Sequence, residues 1–177
     1  TLSVLLPNYN HGQYLGGALQ AILDQSYSPL EIIVLDDGST DDSVRILEEL
    51  AGRHPILRFF RNERNLGGHA AVERLLALAG GDYAALCSAD DLVLPGLFEK
   101  SMELLERYPQ AAFCSSRTRF MDAEGKELGI AYGPVPARRP CYLSRRQVAR
   151  LVVRSGAWIS TSTAIYRESP WLDTQPR

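Results

Sequence analysis

Two hydrophobic periods take turns along this chain of 177 residues. Short, unbroken apolar runs alternate with longer segments in which apolar residues return every three or four positions. The runs at 2–7, 31–36, 57–60, 83–88 and 111–116 read as strands. Continuous, β-branched stretches of that length suit strands buried on both faces. The segments 14–25, 43–52, 70–80 and 94–109 read as helices. Gly80 is expected to cap the third helix, and Pro95 falls within the first turn of the fourth, with Pro109 just past its end. Strands separated by helices at this spacing predict βαβ units, hence an α/β fold with a Rossmann-like, mainly parallel sheet covered by helices on both faces.

Beyond residue 117 the rhythm breaks down. A hairpin turning at Glu124-Gly125, a Pro- and Arg-rich loop at 134–140, a helix over 144–153 and a last strand over 160–167 are expected there. No repeat and no low-complexity segment interrupts the chain, which reads as a single domain, 1–177, with a regular half (1–116) and a less regular one (117–177).

The chemistry gathers where strands end. The run Ile32-Ile33-Val34-Leu35 is followed by Asp36-Asp37-Gly38-Ser39-Thr40-Asp41. Gly38 permits a tight turn, and Ser39, Thr40 and Asp41 are N-cap types for the helix that follows. Capping does not explain two adjacent carboxylates at the strand's carboxyl end, the edge where open parallel sheets bind ligands. A second pair, Asp90-Asp91, follows the strand 83–88. Hard carboxylate oxygens suit magnesium or manganese, which two such groups can hold together with substrate phosphates. The first strand ends at Pro7, with Asn8, Tyr9, Asn10 and His11 forming the loop after it; Tyr9 offers a flat ring able to stack on a base. Glycines in Leu66-Gly67-Gly68-His69 could admit a phosphate to backbone amides, whereas His11, His69 and the arginine clusters near 138–150 read as solvated surface.

Composition narrows the field. With 45% hydrophobic and 23% charged residues the chain has the make-up of a soluble globular protein, and a formal net charge of −2 argues against a nucleic-acid partner. Cys87, Cys114 and Cys141 form no CxxC pair, which fits a reducing compartment and offers no zinc site. No apolar stretch approaches the ~20 residues of a transmembrane helix. A cytoplasmic location is expected, with the inner face of a membrane reachable through the rest of a longer parent protein.

Taken together, "SVLLPNYNHGQYLGGALQAILDQSYSPLEIIVLDDGSTDDS", "NERNLGG", "GGDYAALCSADD" and "GAWISTSTAIYR" resemble a family 2 glycosyltransferase of GT-A fold, from about residue 2 to residue 168. The resemblance implies transfer of a sugar, with inversion, from a nucleotide-diphosphate donor, a UDP-sugar being favoured, to a glycan, lipid-linked or protein acceptor. It makes 1–116 the nucleotide-binding half and 117–177 the acceptor side. By the same resemblance Pro7, Asn8, Tyr9, Asp37 and Asp90 hold the nucleotide, with Tyr9 stacking on the base and Asp37 accepting from its ring N–H. Asp91 holds Mn2+ or Mg2+ on the diphosphate, and Asp36 secures the loop.

There are departures. The acidic motif is Ala89-Asp90-Asp91, lacking the first acid of a literal D-x-D, and Glu73 and Leu75 stand where the family often has Asn and Gly. The family's general base lies beyond the 160–167 strand; Asp173, the last acid here, is not expected to be that base, so this stretch is expected to bind donor but transfer weakly. Two other readings stay open: a GT-A-like nucleotidyltransferase, although Pro7-Asn8-Tyr9-Asn10-His11-Gly12 carries no Lys or Arg for a phosphate loop, and a non-catalytic nucleotide- or carbohydrate-binding module. The oligomeric state is left open.

Overall fold

A computed structural model describes residues 1–130, 139–156 and 160–167. The elements run β1 (Leu2–Asn8), α1 (Gly12–Leu23), β2 (Glu31–Asp36), α2 (Ser43–Arg53), β3 (Leu57–Arg61), α3 (Gly68–Leu78), β4 (Tyr83–Leu86), α4 (Leu97–Arg107) and β5 (Phe113–Ser115). Then follow β6 (Arg119–Met121), β7 (Glu127–Ile130), α5 (Arg145–Ser155), a 3-10 turn (Thr161–Thr163) and β8 (Ala164–Arg167). Six strands form one sheet in the order β3-β2-β1-β4-β8-β5, while β6 and β7 pair as a separate hairpin. The strands β1 to β4 are mutually parallel, and β8 lies antiparallel between β4 and β5. The mainly parallel α/β sheet expected from the alternation is what the chain forms.

Both faces of the sheet are apolar, which is why the strand sequences show no clean alternation. Leu2, Val4 and Leu6 of β1 and Ile32 and Val34 of β2 pack with Leu15, Leu19 and Ile22 of α1, Leu47 of α2 and Phe98, Met102 and Leu105 of α4. Leu5, Ile33 and Leu35 point the other way, onto Ala71 and Leu75 of α3. Leu75, which stands where the resemblance leads one to expect Gly, is a core residue. Cys87 is buried, and burial together with the nearby Asp91 carboxylate pushes its thiol up to about 12, so it behaves as a small apolar side chain. Cys114 is partly buried in β5, and Cys141 is exposed.

Several boundaries differ from expectation. The third helix stops at Leu78 with extended backbone at Ala79, so Gly80 is no left-handed cap. It and Gly81 instead pass close to the amino ends of β1 and β2: Gly80 N–H donates to Glu31 Oε1 at 2.8 Å and Gly81 N–H to Ser3 Oγ at 2.9 Å. A Cβ on Gly81 would come within 2.8 Å of the Ser3 nitrogen. The fourth helix begins at Leu97 behind a left-handed Gly96, leaving Pro95 outside it. The helix after β2 begins at Ser43, and neither Ser39 nor Thr40 caps it; Asp41 Oδ1 takes the Ser43 N–H at 3.0 Å. The hairpin does turn at Glu124-Gly125, with Gly125 at φ 82°. Asp173 and most of the 134–140 loop lie outside the described residues.

Candidate functional site

The chain runs outward from β1 to β2 to β3, then crosses back to place β4 on the other side of β1. That reversal makes the carboxyl ends of β1 and β4 a topological switch point, where open α/β sheets leave a crevice for ligands. Residues 8–12 leave β1 on one side of it, and residues 87–92 leave β4 on the other. His11 Nδ1 lies 3.9 Å from Asp90 Oδ1 across this gap.

The loop after β1 is fastened to the loop after β2 by paired polar contacts. Asn8 is buried, and its Nδ2 donates to Asp36 Oδ2 at 2.9 Å and to Ser39 Oγ at 3.3 Å. Asn10 holds a left-handed backbone, φ 54°, where Asn is tolerated better than most residues. That turn lets its own N–H reach Ser39 Oγ at 2.9 Å and its Oδ1 accept the Thr40 N–H at 2.8 Å. Asp41 Oδ2 accepts the Gly12 N–H at 2.8 Å, so one carboxylate serves the first turns of both α1 and α2. Burial alone would raise the pKa of Asp41, but its hydrogen bonds from Ser43 and Gly12 outweigh that and lower it.

Asp36 lies wholly inside this mesh. It accepts the Ser39 N–H at 3.0 Å, the Asn8 amide, and the approach of Arg61 Nε at 3.6 Å. Securing the loop is what it does.

Asp37 is equally committed. Its Oδ1 accepts Asn62 Nδ2 at 2.6 Å and the Leu66 N–H at 3.0 Å; its Oδ2 accepts the Leu66 N–H at 3.1 Å and the Gly67 N–H at 2.9 Å. Desolvation works against the anion here, yet these donors prevail and hold its pKa below the ordinary 3.8. Arg74 of α3 in turn donates to Asn62 Oδ1. The carboxylate thus sits at the amino end of α3, where two backbone N–H groups and the helix dipole favour negative charge. Gly38 is what lets the chain turn there. It has φ +78°, and a Cβ would meet the Arg64 carbonyl carbon at 2.7 Å.

The second acidic pair is placed otherwise. Asp90 and Asp91 are both exposed, and the Asp90 side chain is 50% accessible. Among the described residues the Asp91 carboxylate has no hydrogen-bond or ion-pair partner, and no third His, Cys, Asp or Glu completes a protein metal cluster. Exposed carboxylates at this edge, Asp91 without a partner and Asp90 with only His11 near it, are hard-oxygen donors of the kind a magnesium or manganese ion takes together with phosphates and water. Tyr9, in the loop after β1, is 42% exposed, and Pro7 stays in β1 opposite Leu35. From the 3-10 turn before β8, Ser162 Oγ comes within 3.0 Å of Ser88 Oγ.

Reading from residues alone therefore brought Pro7, Asn8, Tyr9, Asp37, Asp90 and Asp91 to one sheet edge, but did not distinguish side chains that face the crevice from those that hold its walls. Asn8 and Asp37 are buried and bonded to the loops around them. Arg61, Asn62 and Arg74 were missed, since their role exists only through partners distant in sequence. His11, read as surface, is at the surface and also beside Asp90.

A family model described as glycosyl transferase family 2 matches residues 3–162. An uncharacterized protein of Mycobacterium tuberculosis is 32% identical over 99% of this chain, which spans 49% of that relative. The mannosyltransferase PcManGT of Pyrobaculum calidifontis, solved with GDP-Man and Mn2+, superposes with a TM-score of 0.61 at 25% identity, over 67% of this chain and 35% of its own. TarS of S. aureus, solved with UDP-GlcNAc, gives a TM-score of 0.75 over 96% of this chain and 46% of its own, at 20% identity.

Proposed function

Because the chain belongs to glycosyl transferase family 2, we propose that it supplies the donor-binding part of an inverting transferase that uses a nucleotide-diphosphate sugar, with UDP favoured, and a divalent cation. The observation that carries this reading is the exposed Asp90-Asp91 pair at the switch point, with Asp90 Oδ1 3.9 Å from His11 Nδ1 in the loop after β1. Asp91 would hold Mn2+ or Mg2+, and the ion, when bound, would neutralise charge developing on the diphosphate leaving group. In this reading Asp90 meets the ribose or the sugar, and Tyr9 stacks on the base. The GDP-Man and Mn2+ bound by PcManGT support a metal-assisted donor site of this kind.

Asp37 enters this reading with a condition. A carboxylate has about four acceptor positions, and three donors already lie on this one: Asn62 Nδ2, the Gly67 N–H and the Leu66 N–H, which is shared between both oxygens. A base N–H read by Asp37 would take the remaining position, with the shared Leu66 N–H settling on one oxygen. The acceptor, whether glycan, lipid-linked or protein, and the general base belong to the whole protein, and a cytoplasmic location is part of the same proposal.

Calorimetric titration with UDP, TDP and GDP, with and without Mn2+, tests the reading. Wild type should bind UDP more tightly with the ion, Asp91→Ala should lose that dependence, and Asp37→Ala should weaken the choice among bases. Indifference to every nucleotide would favour the binding-module reading, and preference for a triphosphate the nucleotidyltransferase.

A further inference from the structure

The helix α3 holds Asp37 from two directions. At its amino end the Leu66 and Gly67 N–H groups reach the carboxylate directly. About two turns further along, Arg74 reaches it through an intermediary. The guanidinium donates through Nη1 to Asn62 Oδ1, and Asn62 Nδ2 donates to Asp37 Oδ1 at 2.6 Å. Asn62 is 6% exposed, and its own N–H is tied to the Asp36 carbonyl at 2.8 Å. The choice left to its side chain is which way round the amide lies.

The two partners make that choice. A guanidinium only donates and a carboxylate only accepts. Turning the amide over would set its oxygen against Asp37 and its NH2 group against Arg74, two repulsive contacts in place of two charge-assisted bonds. With Arg74 in place, the NH2 group stays on Asp37 and the donors on that carboxylate stay at Asn62, Leu66 and Gly67. A single acceptor position is then left, on the oxygen that the shared Leu66 N–H vacates.

That count separates bases. Uracil and thymine present one ring N–H, flanked by carbonyl oxygens. Guanine presents two parallel donors, a ring N–H and an exocyclic amine, and needs a free position on each carboxylate oxygen. We propose that Arg74 and Asn62 are positioning residues that set base specificity at Asp37, Arg74 by locking the Asn62 amide and Asn62 by occupying a position that guanine would need. The assignment rests on Asp37 reading the base of the donor. Without the Asn62 donor, the Leu66 N–H can settle on Oδ1 while Gly67 keeps Oδ2, which leaves one position open on each oxygen. Loss of Arg74 acts the same way but more weakly, since the unlocked amide is free to turn over.

Calorimetric titration of wild type, Arg74→Met, Arg74→Lys and Asn62→Ala with UDP and with GDP tests this. Wild type should prefer UDP by about tenfold or more, the cost of leaving a guanine donor unpaired. Asn62→Ala should narrow that ratio of Kd values most. Arg74→Met, a change at an exposed helix position, should narrow it by roughly threefold or more. Arg74→Lys keeps a donor for Asn62 Oδ1 and should restore most of the preference. A merely structural role would weaken UDP and GDP by a common factor and leave the ratio where it was. A second readout needs no nucleotide. Followed by NMR, the Asp37 carboxyl should titrate at higher pH in Asn62→Ala and Arg74→Met than in wild type, because burial opposes the anion there and a donor that outweighs it is lost or loosened. Wild type that binds neither nucleotide would remove the donor site and this assignment together. A UDP preference that both Arg74→Met and Asn62→Ala leave unchanged would overturn the assignment alone. So would an Asp37 titration indifferent to both changes, or a wild-type preference for GDP.

Discussion

Asp36-Asp37 and Asp90-Asp91 are the same dipeptide at the same edge of the same sheet, and they live in opposite surroundings. The first pair is buried and supplied with donors from Asn8, Ser39, Asn62, Leu66 and Gly67. The second is exposed, and among the described residues its one side-chain ion pair is that of Asp90 with His11. Burying one carboxylate next to another is costly unless hydrogen bonds favour the ionised form, so the first pair persists because the loops around it are built from its donors. The second pair has nothing comparable. Identical residues thus build a wall in one place and stand exposed at the sheet edge in the other, where the proposed function has them meet the cation and the donor. The difference comes from the neighbours: β2 lies between β1 and β3 and is enclosed by loops from both, whereas the end of β4 opens onto the switch point.

The contrast can be broken most forcefully at the wall. Asp36→Ala strands the buried Asn8 amide and the Ser39 N–H, and should cost roughly 3–5 kcal/mol of folding stability in urea titration. Gly38→Ala should cost about 2–3 kcal/mol, because the new methyl meets backbone at Arg64 and the left-handed conformation is itself unfavourable. A loss under 1 kcal/mol for either change would mean that the wall is looser than its contacts indicate.

Acid titration sharpens the same contrast. The pKa of Asp37 is lowered in the folded state, so the stability it contributes is fully present above its unfolded value, near 4, and is lost as the pH falls through the folded one. Asp37→Asn should therefore be less stable than wild type at neutral pH, with the gap closing below about pH 4 in parallel denaturation curves. A gap that persists or widens in acid would contradict the assignment. At the opposite extreme, Asp91→Ala should change stability by less than about 0.5 kcal/mol, as expected at an exposed site with no partner.

Much of this was legible beforehand. Unbroken apolar runs at 2–7 and 31–36 identified strands buried on both faces, and the amphipathic period located α1 to α4 to within a few residues. The insertion of β8 between β4 and β5 was not legible, since that pairing joins Ile165 to Ala85 and Cys114 across long stretches of chain and leaves no local trace. Gly80 misled because a glycine after a helix fits a cap and a close backbone crossing equally well. The two acidic pairs could be found from residues, but not told apart. What separates them is a set of backbone N–H groups, chiefly those of Leu66 and Gly67, and every sequence has those.

Crystals grown with UDP and Mn2+, measured for anomalous scattering by manganese, test the central claim most directly. The account predicts a single manganese peak within coordinating distance of an Asp91 carboxylate oxygen and of the diphosphate, with the Asp36 and Asp37 hydrogen bonds to Ser39 and Asn62 left free of metal. A peak seated on Asp36-Asp37, or manganese on the diphosphate with no oxygen from Asp90 or Asp91, would contradict it.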